Sequence, residues 1–359
     1  MQGGESLRCL IAAGGTAGHV LPALAVADAL RARGAVVTLA GTPGRAEARL
    51  VPEAGYDLDT FAAAGIPRRS PLGALRGAAL ALRAPLACRR ILERRRPDVV
   101  CGGGGYVAGP MVLAAWTKRI PAALTEADAH LGLANRLAAP FAKRVFLAFP
   151  IEGLEPPKYL VVGRPVPTRA RAVTNAEARR LFELPAEGPV LLVFGGSQGS
   201  RALNEHVVEH FGDEGPAVLH LSGERDYDGL RERVRRGDYR LLSFTDDFGA
   251  ALSAADLVLA RSGGSVWEVA AAGKPTVLVP YPHGTSDHQT KNARYFERAG
   301  AAVVVPESEL ERVHGVVVDL LADDARRAAM ADAMQQLARP DAAEVIAEEL
   351  IALARAARR

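Results

Sequence analysis

The sequence predicts an α/β protein with two doubly wound domains that face each other across a cleft. Short apolar runs of strand length alternate with amphipathic helical segments, and this alternation starts twice. Each start is a strand followed by a glycine turn, Gly14-Gly15-Thr16 in the first half and Gly195-Gly196-Ser197 in the second. A chain of 359 residues is also long for a single core. We therefore expect an N-terminal domain over 1–163, a C-terminal domain over 164–340, and a last helix over 341–359 that crosses back onto the first domain.

The composition is typical of a soluble globular protein, with 49% hydrophobic and 24% charged residues. Cys9, Cys88 and Cys101 lack the spacing of metal ligands and leave an odd cysteine over, which indicates reduced thiols in a cytoplasm. We expect neither a signal peptide nor a membrane span, because no basic region precedes an apolar run and no apolar run is long enough to cross a bilayer. The net charge of +3 is too small to predict nucleic-acid binding.

The first half alternates strands and helices up to a proline-rich linker. The predicted strands are 7–13, 35–40, 98–101, 121–124 and 144–149, and the predicted helices are 21–33, about 45–54, a segment from the glycine turn 102–109 toward Trp116, and 131–137. Pro71 and Pro85 are expected to break any single long helix between the second and third strands. Proline-rich stretches at 152–157 and 163–168 predict a linker that flanks a strand at 159–162.

The first glycine turn carries a histidine. The turn fails the G-x-G-x-x-G spacing of a dinucleotide fingerprint, and no acidic residue ends the second strand, so it is a phosphate- or sugar-sized turn. His19 lies at the carboxyl edge of the first strand, where open parallel sheets place their ligands, and we therefore favour a functional imidazole over a packing role. Further along, Glu126, Asp128 and His130 are compatible with either an acid–base cluster or a helix cap.

The segment Arg68–Arg96 contains nine arginines against a single acid, Glu93, with leucines interleaved. This pattern is typical of a helix that lies on an anionic bilayer, and we favour that interpretation over an ordinary amphipathic helix with solvated arginines. Nearby, Asp57-Leu58-Asp59 matches a metal-binding Asp-x-Asp string. It is far in sequence from the glycine turns, so we predict a surface loop there and assign no metal site.

The second half contains another strand, glycine turn and helix start at Arg261–Glu268. Predicted strands are 189–194, 217–221, 239–244, 256–260, 275–279 and 302–305, with helices between them, the first over 201 to about 211. A glycine turn before a helix lets backbone N–H groups approach a phosphate. Glu268 lies about one turn into the helix, where its carboxylate can accept hydrogen bonds from two ribose hydroxyls. The alternative is a tight turn whose glutamate only interacts with the helix dipole.

Six motifs, taken in order and spacing, resemble the MurG family over nearly the whole chain. They are Gly14-Gly-Thr-Ala-Gly-His-Val-Leu-Pro-Ala-Leu24, Gly103-Gly-Gly-Tyr-Val-Ala-Gly-Pro110, Gly195-Gly-Ser-Gln-Gly-Ser200, Phe244-Thr-Asp-Asp247, Arg261-Ser-Gly263 with Glu268, and Asp287-His-Gln-Thr-Lys-Asn-Ala293. Members of that family transfer N-acetylglucosamine from UDP-N-acetylglucosamine to undecaprenyl-pyrophosphoryl-N-acetylmuramyl pentapeptide, which converts lipid I to lipid II. The resemblance implies the GT-B glycosyltransferase fold, two Rossmann-like domains with the donor nucleotide on the C-terminal one.

The resemblance also implies roles for individual residues. The implied donor-binding residues are Thr16, Ser197, Gln198, Phe244, Thr245, Arg261, Gly264, Ser265, Glu268, His288 and Gln289, and the implied acceptor-side residues are Gly18, Tyr106, Asp128 and Arg164. Among the donor residues, Arg261 with the amides of Gly264 and Ser265 would hold the diphosphate, Glu268 the ribose, and His288 with Gln289 the sugar hydroxyls.

We hypothesise an inverting single displacement with His19 as the base, because the unperturbed pKa of histidine suits neutral pH. Glu126 is the second candidate, either as the base or as the group that orients His19. No cofactor is expected to be required, and a divalent cation such as Mg²⁺ is expected at most to assist. The expected partners are UDP-N-acetylglucosamine, lipid I and the anionic cytoplasmic membrane surface, the last through Arg68–Arg96, with no nucleic acid. The expected location is cytoplasmic, peripheral on the inner face of the plasma membrane.

Two segments depart from the family pattern on the acceptor side. Thr125-Glu-Ala-Asp-Ala129 stands where the family usually has His-Glu-Gln-Asn-Gly, and Gly163-Arg-Pro-Val-Pro167 stands where it has Gly-Asn-Pro-Val-Arg. These departures keep open a GT-B transferase that uses a UDP-sugar with a different acceptor, such as a glycolipid or metabolite. An alternative of another class is a non-catalytic nucleotide-sugar-binding partner subunit.

Overall fold

The computed structural model describes residues 6–63, 71–166, 173–196, 198–284 and 287–358, with only the backbone described over 71–82. The chain divides into two compact units. The first comprises Met1–Pro167 with Arg339–Arg359, and the second Thr168–Ala338. The sequence predicts this boundary after residue 163, in the same proline-containing stretch.

The described residues of the first unit form a seven-stranded parallel sheet in the order β3-β2-β1-β4-β5-β6-β7. Its elements are β1 (Arg8–Ala12), α1 (Ala17–Ala32), β2 (Val36–Gly41), α2 (Ala46–Glu53), β3 (Asp57–Thr60), α3 (Pro71–Arg95), β4 (Val99–Gly102), α4 (Ala108–Thr117), β5 (Ala122–Glu126), α5 (Leu133–Ala138), a 3-10 helix (Ala139–Phe141), β6 (Arg144–Leu147), β7 (Tyr159–Val161) and α14 (Ala342–Arg358).

Helices cover both faces of this sheet, which is why its central strands are apolar on both sides. On one face α1 and α14 pack together, and Leu30, Ile346 and Leu350 are fully buried there. On the other face α3 and α4 pack together around Met111 and Leu92.

The prediction that Pro71 and Pro85 break the third helix is wrong. The segment forms one helix of 25 residues, with Pro71 as its first residue and Pro85 inside it. Proline is tolerated at a first helical position because that N–H has no partner within the helix. Pro85 does remove one helical hydrogen bond, and burial of Ala84, Cys88 and Ile91 against the sheet offsets that loss.

The prediction of a surface loop at Asp57–Asp59 is also wrong, because these residues begin the edge strand β3. Asp59 lies 2.8 Å from Arg94 Nη2 and 2.7 Å from Arg95 Nε, and Asp57 lies 2.8 Å from Arg95 Nη1. Burial alone would raise the pKa of Asp59, and the hydrogen bonds from the two arginines outweigh it and lower the pKa. Asp57 and Asp59 therefore anchor the end of α3 to the edge of the sheet.

The described residues of the second unit form a six-stranded parallel sheet in the order β10-β9-β8-β11-β12-β13. Its elements are α6 (Asn175–Leu181), β8 (Val190–Phe194), α7 (Arg201–Phe211), β9 (Ala217–Leu221), α8 (Glu224–Arg231), β10 (Tyr239–Leu242), α9 (Phe248–Ala254), β11 (Leu257–Ala260), α10 (Val266–Ala271), β12 (Thr276–Leu278), α11 (His288–Arg298), β13 (Ala302–Val304), a 3-10 helix (Glu307–Glu309), α12 (Arg312–Ala322) and α13 (Asp324–Leu337).

Each sheet reverses its winding direction once, between β1 and β4 in the first unit and between β8 and β11 in the second. Ligands of open parallel sheets bind outside the carboxyl ends of the two strands at such a switch point. The four strands there are followed by the glycine segments Gly14–Gly18, Gly103–Gly105, Gly195–Gly199 and Gly263–Gly264. These four turns are therefore the expected ligand-binding positions of the two sheets.

Candidate active site

His19 lies in the first turn of α1, at the switch point of the first unit. The ring is half-buried, and its Nδ1 lies 3.2 Å from Oγ1 of Thr16, the residue that caps α1. Gly104 in the facing turn has a φ of +109°, and a Cβ there would lie 2.7 Å from His19 Cδ2. Glycine at that position lets the two turns meet with the imidazole between them.

The surroundings of His19 keep its imidazole neutral near pH 7. Burial lowers the pKa of His19, the positive charge of Arg164 lowers it further, and Asp128 and Glu47 act in the opposite direction. The net pKa lies below the usual value, so the ring is unprotonated near neutral pH and keeps a lone pair that can accept a proton. A neutral imidazole at a ligand-binding edge can act as a general base.

A cavity of about 220 Å³ lies beside His19. Its lining includes Gly18, His19, Glu126, Asp128, Asn135 and Arg164. The Arg164 guanidinium donates a hydrogen bond to the Gly18 carbonyl, which holds its positive charge at the start of α1. The structure thus brings together the predicted residues Gly18, His19, Glu126, Asp128 and Arg164.

Glu126 has the geometry of a loop anchor. Its Oε1 accepts hydrogen bonds from the N–H groups of Ala127 and Asp128 at 2.9 and 3.2 Å, and its Oε2 accepts from Gly132 N–H and Asn135 Nδ2, both at 2.9 Å. Burial raises the pKa of Glu126, and these hydrogen bonds lower it only in part. The carboxylate therefore fixes the loop between β5 and α5, on which Asp128 lies.

Tyr106 contacts the other side of the first turn. Its ring lies 3.2 Å from the position of a Cβ at Gly15, and its hydroxyl lies 3.2 Å from Thr42 Oγ1. Thr42 in turn donates to Glu47. No local sequence pattern marks Glu47 or Asn135, because both are polar residues in short helical segments whose partners include residues distant in sequence.

The switch point of the second unit begins with the turn Gly195–Ser200. Ser197 lies outside the described residues, and Gln198 is exposed. Gly199 has a φ of +67°, and a Cβ there would lie 2.1 Å from the Ser222 carbonyl oxygen. The turn is therefore packed against the end of β9 and presents Gln198 outward.

Arg261 ties this turn to its neighbours. The buried guanidinium donates from Nε to Ser200 Oγ at 2.9 Å and from Nη1 to the carbonyls of Val279 and Pro280, both at 3.1 Å, and its Nη2 forms an ion pair with Glu307. These bonds join the segments that follow β8, β11 and β12. A direct diphosphate contact by Arg261 stays a prediction, since four of its five N–H donors are directed to these protein groups.

The start of α11 lies against the turn that follows β11. The side-chain Oε1 of Gln289 accepts a hydrogen bond from Tyr281 N–H at 3.0 Å. The backbone carbonyl of Gln289 accepts one from Ser262 Oγ at 2.7 Å. His288 is the first residue of α11 and is half-buried, as is Glu268 on α10. The structure therefore gathers Arg261, Gly264, Ser265 and Gln289 around one turn, with Glu268 one helical turn further along the chain.

Phe244 and Thr245 follow the edge strand β10, two strands away from β8. Phe244 is 59% exposed, and Thr245 Oγ1 accepts a hydrogen bond from Asp247 N–H at 3.1 Å. The next helix brings Phe248 into edge-on contact with Phe194 of β8, with ring centroids 5.0 Å apart. This contact connects the Phe244–Thr245 loop to the central strand.

Comparison with known proteins identifies the family. Residues 9–147 match the Glycosyltransferase family 28 N-terminal domain and residues 190–346 the Glycosyltransferase family 28 C-terminal domain. The chain is 43% identical to the UDP-N-acetylglucosamine--N-acetylmuramyl-(pentapeptide) pyrophosphoryl-undecaprenol N-acetylglucosamine transferase of Salinibacter ruber, over 96% of each chain. It is 43% identical to the Acidithiobacillus ferrooxidans protein of the same name, over 95% of this chain and 96% of that protein.

The chain belongs to the MurG family. The crystal structure of Acinetobacter baumannii MurG is similar to this chain, with a TM-score of 0.75 and 29% identity, over 97% of this chain and 100% of that one. The expected GT-B architecture, with two Rossmann-like parallel-sheet domains, is confirmed. Within the ranges that the structure describes, no helix has the length and apolar character needed to cross a bilayer. Over the same ranges, no group of three or more His, Cys, Asp or Glu side chains is arranged to hold a metal ion.

Proposed function

We propose that this chain is an inverting glycosyltransferase that moves N-acetylglucosamine from UDP-N-acetylglucosamine to the 4-hydroxyl of undecaprenyl-pyrophosphoryl-N-acetylmuramyl pentapeptide. The observation that carries the proposal is 43% identity over 96% of the chain to a transferase named for that reaction. The neutral His19 at a ligand-binding edge supports it, because the reaction needs a base. Membership of the family makes a hexosyltransferase that depends on UDP-N-acetylglucosamine the simplest function for both switch points.

The proposed chemistry is a single displacement. A nitrogen of His19 accepts the proton of the muramyl 4-hydroxyl as that oxygen attacks the anomeric carbon of the donor. The bond between the anomeric carbon and the diphosphate oxygen breaks, UDP leaves with the bonding electrons, and the α-linkage becomes β-1,4. Glu126 supports this step by holding the loop that carries Asp128, whose charge acts on His19.

The donor is assigned to the second unit. Backbone N–H groups of the turn at 195–200, together with the N-terminus of α7, an 11-residue helix, are suited to the negative charge of the UDP diphosphate. In this assignment Arg261 positions the turns through Ser200 and the carbonyls after β12, and the amides of Gly264 and Ser265 face the diphosphate. Glu268 binds the ribose hydroxyls, and the Phe244–Thr245 loop contacts the uracil. His288 and Gln289 bind the hydroxyls of N-acetylglucosamine.

The acceptor is assigned to the first unit. Arg164 holds a positive charge at the start of the 16-residue helix α1, an arrangement suited to an anionic acceptor such as a lipid pyrophosphate. Mg²⁺ is proposed only to assist by sharing the charge of the donor diphosphate. We therefore expect transfer to persist in EDTA and to rise modestly when Mg²⁺ is restored.

We also propose that the surface formed by α3, α4 and α5 contacts the cytoplasmic face of an anionic membrane. Leu86, Trp116, Leu133 and Leu137 are 54–65% exposed there, and exposed Arg89 and Arg90 lie on the same helix as Leu86. Exposed apolar side chains beside arginines favour an anionic bilayer surface. Arg68 and Arg69 lie outside the described residues. Co-sedimentation with anionic and neutral vesicles tests this contact, and Trp116→Ser is expected to weaken binding to the anionic vesicles.

The deciding experiment for the reaction measures sugar transfer to a short-chain lipid I analogue from UDP-N-acetylglucosamine, UDP-glucose and UDP-N-acetylgalactosamine. We expect transfer from the first donor and much slower transfer from the other two. Transfer only to a glycolipid or metabolite in a parallel acceptor panel would replace the proposed acceptor. UDP binding without turnover on any acceptor would replace the enzyme with a binding subunit.

A further inference from the structure

A buried carboxylate that the proposed chemistry does not use lies next to the first glycine turn. Glu47 occupies the first turn of α2 and is fully buried. Charged side chains are rarely buried unless they are paired or hydrogen-bonded, so the partners of Glu47 indicate what it does.

Glu47 is joined to the ends of two strands directly and to a third indirectly. Its Oε1 accepts hydrogen bonds from Thr42 N–H at 2.9 Å and from Thr42 Oγ1 at 2.7 Å, and its Oε2 accepts one from Gly15 N–H at 2.9 Å. Since the single hydroxyl proton of Thr42 goes to Glu47, Tyr106 must donate across the 3.2 Å contact between the two hydroxyls. Segments following β2, β1 and β4 are thereby fixed around one carboxylate.

The backbone is shaped to admit this side chain. A Cβ at Gly14 would lie 2.3 Å from Glu47 Oε1, and a Cβ at Gly41 would lie 2.6 Å from Glu47 Cγ. Gly15 has a φ of +99°, a conformation that favours glycine, and in it the N–H of Gly15 reaches Oε2. Three glycines at two strand ends therefore make room for a single glutamate.

The Gly15 contact leads directly to His19. Gly15 precedes Thr16, whose carbonyl accepts the His19 N–H at 3.0 Å and whose hydroxyl lies 3.2 Å from His19 Nδ1.

Glu47 also acts through its charge. Burial raises its pKa, hydrogen bonds from Thr42 and Gly15 outweigh that effect, and the net pKa is lowered, so the group is ionised. Its negative charge in turn raises the pKa of His19, against the larger effects of burial and Arg164.

We propose that Glu47 is a positioning residue for the transfer reaction, which fixes the turn that orients His19 and places a permanent negative charge near that imidazole. The inference rests on the proposed function, since it assigns Glu47 to the same site. The same hydrogen bonds define a role for Tyr106, whose hydroxyl proton is donated to Thr42. The Tyr106 oxygen can therefore only accept a hydrogen bond from a hydroxyl group of the sugar acceptor.

The test uses Glu47→Gln in the full chain. The amide keeps one oxygen for Thr42 and turns an NH₂ group toward Gly15 N–H, so that two donors face each other. We expect kcat to fall about 10- to 100-fold, because a misplaced base loses its aligned geometry, while KM for UDP-N-acetylglucosamine stays unchanged. The acid limb of the pH profile of kcat/KM should also move to lower pH, since removing a negative charge makes His19 a weaker base. A purely structural role would leave that limb in place.

Glu53→Gln is the matched control. Glu53 lies on the same helix, is exposed, and pairs with Arg49 at 3.2 Å. It should behave as the wild type in both kcat and pH profile. Glu47→Asp separates charge from reach, because it keeps the charge and shortens the side chain. We expect Glu47→Asp to lower kcat while the acid limb of its kcat/KM profile stays at the wild-type pH. An acid limb shifted as far as in Glu47→Gln would contradict the proposal that the Glu47 charge acts on His19.

An NMR titration of the His19 imidazole in the full chain without substrates makes the inference independent of the reaction. Glu47→Gln is expected to titrate at lower pH than the wild type. If kcat falls only in proportion to the folded fraction while neither the acid limb nor the His19 titration moves, the inference is overturned. Failure of the wild type to transfer sugar to any acceptor would refute the proposed function, and the His19 titration would still decide the role of Glu47.

Discussion

The two switch points are built on the same strand order but differ in how their charged side chains are used. In the first unit, His19 is half-buried beside a cavity, and the pKa of its imidazole is lowered. The charge of Arg164 lowers this pKa, and the charge of Asp128 raises it. In the second unit, Arg261 directs its donors to Ser200, two carbonyls and Glu307. One unit presents a titratable group to a ligand, and the other uses its charge to hold backbone turns in place.

This difference indicates a division of labour that the shared topology does not require. Parallel strands and glycine turns supply backbone N–H groups at both sites, which suits anionic ligands in either unit. The first site adds the half-buried His19, whose lowered pKa leaves its imidazole neutral and able to act as a base near pH 7. The comparison therefore predicts that substitutions in the first unit change the chemical step, whereas substitutions in the second change donor binding and stability.

The largest effect is expected for His19→Ala. Loss of the base should lower kcat by about 10²- to 10⁴-fold, with little change in UDP affinity measured by calorimetry, because the donor is assigned to the other unit. His210→Ala, on α7 in the second unit, serves as the control and should keep wild-type kcat. Near wild-type turnover by His19→Ala, with both substrates bound, would remove His19 as the base and leave Glu126 as the remaining candidate.

Arg261→Ala is expected to destabilise the second unit by about 3–5 kcal/mol, since it leaves a partly buried Glu307 carboxylate without its partner. KM for the donor should rise as the turns loosen. Urea unfolding followed by the fluorescence of buried Trp267 reports this unit, in a Trp116→Phe background that removes the only other tryptophan.

The control for Arg261→Ala is Arg201→Ala, whose side chain is 71% exposed and 3.5 Å from Asp226. We expect it to change the free energy of unfolding by less than about 0.5 kcal/mol. Equal losses in the two variants would mean that the Arg261 network does not hold the turns.

A smaller loss in the free energy of unfolding of the second unit is expected as the pH falls into the acid range. Burial, followed by the charges of His210 and His314, lowers the pKa of His206 to about 4, although Glu209 and Glu311 oppose this. Because the folded protein binds this proton less tightly than the unfolded chain, the stabilisation is complete above an unfolded pKa of about 6.5 and is lost as pH falls from there through about 4. His206→Gln should therefore flatten the pH dependence of the Trp267 unfolding transition in that window.

The exposed His283 provides the control for this titration, and His283→Gln should follow the wild-type curve. The first unit, reported by Trp116 alone in a Trp267→Phe background, should depend less on pH over the same window. The reason is that two fully or largely buried histidines with lowered pKa, His206 and His220, lie in the second unit, and His19 in the first is only half-buried. A steeper loss in the first unit would reverse the comparison.

The sequence predicted most of the strands and helices of both units because their apolar runs are strong. The helix predicted from Arg201 to about Phe211 and the strand at Ala217–Leu221 have the same bounds in the structure. The edge strand β3 was missed because Asp57-Leu58-Asp59-Thr60 carries no apolar run and becomes a strand only by pairing with β2. The α6 helix was missed as well, although Thr174 and Glu177 form a capping box that marks its start.

By itself, the sequence determined where the glycine turns fall, that His19 stands at the mouth of one of them, and that the motifs are those of the MurG family. These features are local in the chain, so their spacing can be read directly. The tertiary structure alone decided that Glu126 is held by four N–H donors, that Arg261 is engaged with protein groups, and that Glu47 supports the first turn. Hydrogen bonds and burial set these roles, and Glu47 meets Gly15 from 32 positions away, as Arg261 meets Ser200 from 61, so no local pattern encodes them.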